Sequence, residues 1–178
     1  AETALNGACP TEIDEGPPRT ADEKRTAAWK GTNMRDYKAE YENRVSFIKA
    51  LVSESGASGI VYGNSGGKDS ALVGILCKAA CENTTGVLLP CTSARNYGED
   101  TADAMAVAAE YGIETRTVDL TPVKEAELRA LEGVTALNPA ALVNIAPRLR
   151  MLTLYAVAAA ENRLVAGTGN KSEAYVGY

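Results

Sequence analysis

The sequence contains no histidine among its 178 residues. Serine or cysteine hydrolysis through a histidine base is therefore excluded within this chain. Its four cysteines form no CxxC pair, and no histidine is present to complete an ordinary mixed zinc site. We therefore expect reduced, structural thiols.

Long apolar runs and an excess of positive charge are also missing. No stretch approaches the roughly 18 to 20 apolar residues that span a bilayer, and the N-terminus lacks the basic-then-apolar pattern of a signal peptide. We expect no membrane partner and a cytoplasmic location. The net charge of −5 argues against sequence-independent binding to nucleic acid, which needs a basic surface. The composition, 46% hydrophobic and 23% charged, is that of one folded domain.

The first part of the chain differs from the rest. Residues 1–34 mix prolines, glycines and charges without a sustained apolar period, which predicts a tail or an irregular lead-in. Residues 35–178 are predicted to form the domain. It opens with a surface helix from Asp36 to Gly56, in which apolar residues at helical spacing predict one buried stripe: Tyr41, Val45, Ile48, Leu51 and Val52.

Beyond this helix, short apolar runs alternate with helical segments. We predict strands at 60–62, 87–89, 113–118 and 164–166. Helices are predicted at 70–80, 100–111 and 122–131, and a longer one opens at Asn144 after a loop near Asn138 and Pro139. This alternation is typical of βαβ units, so we predict an α/β fold with a doubly wound parallel sheet and helices on both faces. Such sheets bind ligands at the carboxyl ends of their strands, where two glycine-rich turns fall.

The first of these turns comprises Gly63, Asn64, Ser65, Gly66, Gly67, Lys68, Asp69 and Ser70. Adjacent glycines let the backbone approach a ligand closely, and amides at a helix N-terminus attract anions. A plain turn capped by Asp69 or Ser70 is the alternative. This turn matches neither the Walker A pattern nor the GxGxxG pattern, because other residues occupy several of the positions that those patterns require.

Three segments carry a family resemblance. Residues 65–70 resemble the SGGxDS loop of the ATP pyrophosphatase superfamily, whose members activate an oxygen as its adenylate. Residues 144–151 and 164–173 resemble the NxxxRxRM and GTxNxSE segments of NAD synthetases. The resemblance covers about 35–178. It implies the adenine nucleotide alpha hydrolase-like fold and a ligase that uses ATP and ammonia to convert deamido-NAD into NAD, the last step of NAD biosynthesis.

The resemblance also implies roles for individual residues. Residues 63–70 would cradle the phosphates of ATP, and Thr168 would contact ATP as well. Asp69 and Glu173 would bind Mg²⁺, which prefers carboxylate oxygens, and Arg148 would contact deamido-NAD. Each residue has a structural alternative: a cap for Asp69 and Thr168, a first-turn acid for Glu173, and a surface ion pair for Arg148. Lys68 faces either phosphate or solvent.

Some features depart from the family or go beyond it. Leu88 stands where many members carry an arginine that holds the adenine nucleotide, which leaves Arg95 or backbone groups as replacements. The family's C-terminal segment has no counterpart here, so ATP binding without turnover is one expected behaviour. Fewer than 40 residues precede the first helix, which implies free or delivered ammonia rather than an attached amidase domain. The family forms homodimers, so we expect one.

Two rival functions stay open. One is a tRNA-modifying enzyme of the same superfamily, which the acidic balance disfavours because RNA binding needs a basic surface. The other is a sensor that binds ATP without reacting.

Overall fold

The computed structural model describes residues 36–92 and 98–176. The predicted lead-in and Arg95 lie outside them. Helices and strands alternate along the described chain in this order: α1 Tyr37–Ser55, β1 Gly59–Gly63, α2 Lys68–Ala80, β2 Thr84–Leu88, α3 Glu99–Tyr111, β3 Glu114–Thr117, α4 Thr121–Leu131, α5 Pro139–Glu161, β4 Arg163–Ala166 and α6 Lys171–Tyr175. The predicted strands are all present.

The four strands form one parallel sheet in the order β3-β2-β1-β4. Successive side chains of a strand point to opposite faces. Val61 of β1 packs in one buried cluster with Ala158 of α5. The next residue, Tyr62, packs in a second cluster with Ala108 of α3. Helices therefore cover both faces of the sheet, which confirms the predicted doubly wound fold.

The order of the strands creates a switch point between β1 and β4. From β1 the chain moves outward to β2 and β3, and it then returns through α4 and α5 to β4 on the other side of β1. Tyr62 pairs with Ala166, so these two strands end side by side. In parallel sheets of this kind, ligands bind in the crevice beside such a switch point.

A ring of hydrogen bonds ties the strands together at their amino-terminal ends. Arg163 Nη1 donates to Thr85 Oγ1 (2.8 Å), which donates to Glu114 Oε2 (3.0 Å). Arg116 pairs with both Glu114 and Glu161, and Arg163 Nε closes the ring on Glu161 Oε2 (2.7 Å). The bonds from Arg116 lower the pKa of both carboxyl groups. This ring lies at the opposite end of the strands from the glycine-rich turns.

Helix α1 differs from its prediction. No residue of α1 is buried, and Tyr41 and Leu51 are 44% and 43% exposed. Of the five residues of the predicted stripe, Val45, Ile48 and Val52 are half-buried. The predicted buried stripe is therefore wrong, because helical periodicity indicates an apolar face without showing which surface covers it.

Helix α5 begins earlier than predicted. Asn138 is its N-cap and accepts a hydrogen bond from the amide of Ala141 (2.9 Å), and Pro139 occupies the first helical position. The predicted loop at these two residues is in fact a helix start, since asparagine at the cap followed by proline favours one. The helix continues through Pro147 to Glu161. No helix in the described ranges is long and apolar enough to cross a membrane.

Candidate functional site

The two glycine-rich turns lie next to each other. One follows β1, and the other follows β4, its neighbour in the sheet. Asn170 in the second turn donates from Nδ2 to Oδ2 of Asp69 in the first (3.2 Å). The structure therefore brings together two segments that are 101 residues apart in the sequence.

The first turn exposes backbone amides at the start of α2. Gly66 has a φ of +78°, a conformation that favours glycine, and a Cβ at this position would collide with the backbone carbonyl of Asp100. Gly67 is the N-cap of α2, and no side chain caps it. The cap that Asp69 or Ser70 was predicted to supply as the alternative is therefore not formed. The first amides of a helix have no partners inside it, and they form its positive end.

Side chains of the turn hold its shape from behind. Ser70 is buried; its Oγ donates to the carbonyl of Gly67 (2.9 Å) and lies 3.1 Å from Oγ of Ser65. Asn64 is also buried, and its Nδ2 donates to the carbonyl of Ala104 in α3 (3.1 Å). The side chains of Ser70 and Asn64 are therefore engaged in contacts within the protein. Lys68, in contrast, is exposed.

A cavity of about 730 Å³ opens at this end of the sheet. This volume is in the range of small-molecule sites. Its walls come from the ends of three neighbouring strands and from the helices above them, and the lining residues are Gly63, Asn64, Ser65, Gly66, Gly67, Val87, Leu88, Leu89, Pro90, Asp100, Thr101, Asp103, Pro147, Arg150, Met151, Leu154, Tyr155, Val165, Ala166, Gly167 and Thr168. Thr168 thus lines the same cavity as the turn after β1.

The two arginines of α5 lie in different surroundings. Arg150 lines the cavity, and its Nε donates to the carbonyl of Leu89 at the end of β2 (3.0 Å). Arg148 is exposed and is not among the lining residues. Residues two apart on a helix point about 200° from each other, so only one of the pair can face the cavity.

Three further lining residues were not predicted from the sequence: Arg150 and the two acids on α3, Asp100 and Asp103. A signal for Arg150 was present in the spacing of α5. The residues that line the cavity from this helix include Pro147, Arg150, Met151 and Leu154, which are the positions i, i+3, i+4 and i+7 of one helical face. No comparable signal marks the two acids.

Asp69 and Glu173 are both half-buried. Glu173 belongs to a capping box: its Oε2 accepts from the backbone amide of Asn170 (2.9 Å), and its own amide donates to Oδ1 of Asn170 (3.0 Å). The first-turn role that was the alternative for Glu173 is therefore present. Within residues 36–92 and 98–176, the second oxygen of each carboxylate accepts no hydrogen bond from the protein.

This donor set fits magnesium better than a softer metal. No cluster of three or more histidine, cysteine or acidic side chains suited to a metal occurs in the part of the chain that is described. Magnesium usually keeps several waters and takes one or two carboxylates together with phosphate oxygens. Two acids beside a glycine-rich turn match that preference, whereas the described residues offer no all-protein cage for a metal.

Comparison with known proteins decides the family. Residues 40–178 match the family model of NAD synthase. The chain belongs to the NAD synthase family. Among its curated relatives, the NH₃-dependent NAD⁺ synthetase of Carboxydothermus hydrogenoformans is 40% identical over 146 residues, which cover 80% of this chain and 59% of the relative. That of Archaeoglobus fulgidus is 41% identical over 140 residues, which cover 77% and 55%.

Solved structures of NAD synthase relatives share the fold. The NH₃-dependent NAD synthetase of Campylobacter jejuni, in complex with a nitrate ion, superposes with a TM-score of 0.74 at 35% identity; the match covers 81% of this chain and 61% of that one. An NMN synthetase of Francisella tularensis gives 0.73 at 32% identity, covering 79% and 58%. These likenesses confirm the predicted fold and family. The chain spans somewhat more than half the length of these relatives.

Proposed function

We propose that this chain carries the ATP site of an NH₃-dependent NAD synthetase. Such an enzyme activates the nicotinate carboxylate of deamido-NAD with ATP and then replaces AMP with ammonia. The observation that carries the proposal is the hydrogen bond between Asn170 and Asp69, because it joins the two family segments. Other residues of both segments line the cavity, although Asp69 and Asn170 are not among its lining residues. The names of the relatives supply the reaction.

ATP would lie across the switch point, with its phosphates on the turn of residues 63–70. The unpaired amides at the start of α2 and the helix dipole favour that anion. Thr168 would contact the nucleotide from the β4 side. The side chain of Leu88 is buried, so we assign the adenine contacts at this strand end to backbone groups of β2 and its continuation.

Asp69 and Glu173 would hold Mg²⁺ through the carboxylate oxygens that Asn170 leaves without a hydrogen bond. When bound, the ion neutralises phosphate charge that builds up during the transfer. Both residues lie in the first turns of helices that follow adjacent strands, Asp69 in α2 after β1 and Glu173 in α6 after β4.

The reaction needs no protein nucleophile. A carboxylate oxygen of deamido-NAD would attack the α-phosphorus in line, so that the new P–O bond forms as pyrophosphate leaves. Ammonia then adds to the activated carbonyl carbon, loses a proton and expels AMP. The chain's residues would act by positioning and by stabilising charge. Arg150 is suited to an anionic group inside the cavity, and Arg148 to a part of deamido-NAD that extends beyond it.

A homodimer is part of this proposal. Helices α1 and α5 expose large apolar side chains, among them Phe47, Leu152 and Tyr155 at 64%, 63% and 61%, and exposed apolar patches often mark protein interfaces. Deamido-NAD bound across such an interface would explain how the exposed Arg148 contacts it.

The proposal also covers the domain and its location. We assign the function to residues 35–178 and place the protein in the cytoplasm.

The test is a pyrophosphate-release assay with ATP, magnesium and ammonia. We expect release that requires deamido-NAD. Asp69→Asn should lower the rate by roughly 100-fold or more, because a positioned charge-stabilising group is lost, while the thermal midpoint stays near that of the wild type. Normal release by this variant would contradict the metal role of Asp69.

The choice of second substrate separates the alternatives. Release that requires nicotinate mononucleotide instead would favour an NMN synthetase, like the Francisella relative. Release that requires tRNA would favour a tRNA-modifying enzyme. If ATP binds but pyrophosphate is not released under any of these conditions, the result would favour either the sensor or a synthetase domain that binds ATP without turning it over.

A further inference from the structure

Asn170 uses its side chain and its backbone to contact both acids of the site. Its Nδ2 donates to Asp69, its Oδ1 accepts from the amide of Glu173, and its own amide donates to the Glu173 carboxylate. These distances lie between 2.9 and 3.2 Å. One side chain therefore links the first turn of α2 to that of α6.

These bonds determine which carboxylate oxygens remain available. Asn170 engages Oδ2 of Asp69 and Oε2 of Glu173. A carboxylate with one oxygen held by a donor keeps fewer orientations, so its second oxygen points in a defined direction. Groups that hydrogen-bond to metal ligands act in this way, and their loss typically weakens metal binding 10- to 100-fold.

We propose that Asn170 is a positioning residue that holds the carboxylates of Asp69 and Glu173 so that they can share one divalent cation. The inference rests on the proposed function, since it takes both acids as ligands. It assigns to Asn170 a role beyond capping α6.

A second N-cap in the same chain provides a matched comparison. Asn138 caps α5 by accepting from the amide of Ala141 (2.9 Å), as Asn170 caps α6 by accepting from Glu173 (3.0 Å). Among the described residues, only Asn170 of the two also donates to an acid of the site. A pure capping role would make the two asparagines behave alike.

The experiment measures ATP binding by calorimetry over a series of MgCl₂ concentrations and again in EDTA. The variants are Asn170→Ser, Asn170→Thr and the control Asn138→Ser. Serine and threonine both cap helices and leave the charge of the site unchanged, but their short hydroxyls do not donate to Asp69 as the amide does. We expect both Asn170 variants to need about tenfold more magnesium for half-saturation, with unchanged thermal midpoints and unchanged ATP affinity in EDTA. The control should match the wild type throughout.

The outcomes separate this inference from the proposed function. Magnesium dependence that is the same in wild type and in both Asn170 variants, but is lost in Asp69→Asn, overturns the role of Asn170 alone. Wild-type binding that does not depend on magnesium overturns the metal site, and the role of Asn170 with it. A shift in both Asn170 variants without a shift in Asn138→Ser supports the proposal.

Discussion

At the scale of single residues, the shape of the first turn depends on contacts within the protein. Gly66 lies against the backbone of Asp100, Ser70 bonds back to Gly67, and Asn64 reaches α3. The sequence motif therefore marks a particular backbone shape.

Gly66→Ala should be much more harmful than Gly67→Ala. The first substitution forces a side chain into a left-handed conformation, at a cost of about 1–3 kcal/mol, and against the Asp100 carbonyl. Gly67 has an ordinary φ of −79°, and its added Cβ would meet only Ser65 Oγ at 3.4 Å. Urea unfolding of both variants checks this. Equal losses of stability would show that the left-handed turn at Gly66 is not required.

Tyr62 is a residue-scale exception in the core. It is fully buried, and its hydroxyl has no hydrogen-bond partner among the described residues. Gly74 and Gly86 leave the space that its ring occupies. Burial, with a smaller contribution from Cys77, raises the pKa of Tyr62 to about 12. The folded protein thus favours the neutral phenol.

Tyr62→Phe should stabilise the protein by about 1 kcal/mol at neutral pH, because it removes an unsatisfied polar group. The sign of the pH effect follows from the raised pKa: the neutral phenol favours folding fully below pH 10, and this contribution is lost as the pH rises toward 12. Alkaline destabilisation over that range should therefore be weaker in the variant. Urea unfolding at pH 8 and pH 11 measures both effects, with exposed Tyr111→Phe as the control. A less stable Tyr62→Phe would mean that the hydroxyl has a bound partner, such as water.

At the scale of elements, the two ends of the parallel strands carry different features. The carboxyl-terminal ends carry the cavity, whereas the amino-terminal ends carry the ring built on Arg163, Thr85, Glu114, Arg116 and Glu161. The ring connects β2, β3, β4 and the end of α5. We expect it to contribute to stability without affecting the site.

Thr85→Val tests this division. The side chain is fully buried and bonds to both Arg163 and Glu114, so losing its hydroxyl should cost about 1–2 kcal/mol and leave ATP affinity unchanged. Thr115→Val, which loses only a 3.4 Å bond, is the control. The pKa of Glu114 is lowered from 4.5. The stability lost in Thr85→Val should therefore be full above pH 4.5, where Glu114 is charged, and should shrink as the pH falls below 4.5. A change in ATP affinity would contradict the division.

The sequence predicts the elements well and their surroundings less well. Alternating apolar runs predict all four strands, and the glycine-rich turns predict the site, because these signals are local. Which surface covers the apolar side of α1, and which side of α5 points inward, depend on packing against segments that are distant in the sequence. Arg148 was named by family resemblance, whereas the rotation of α5 turns Arg150 into the cavity. The bond from Asn170 to Asp69 spans 101 residues, so no local pattern marks it.

At the scale of the whole molecule, the proposed nucleotide site depends on the switch point between β1 and β4. The strand order β3-β2-β1-β4 is what places two distant family segments at one cavity. Under the proposed function, substrate choice and turnover both depend on a nucleotide site that these two segments share.

Hydrogen–deuterium exchange with and without ATP and magnesium tests the shared site most directly. We predict slower exchange on binding in both turns, at residues 63–70 and 167–173, and unchanged exchange in the strand ends around Thr85 and Glu114. Protection of one turn alone, or of neither while ATP binds, would contradict the claim that the two turns form a single nucleotide site.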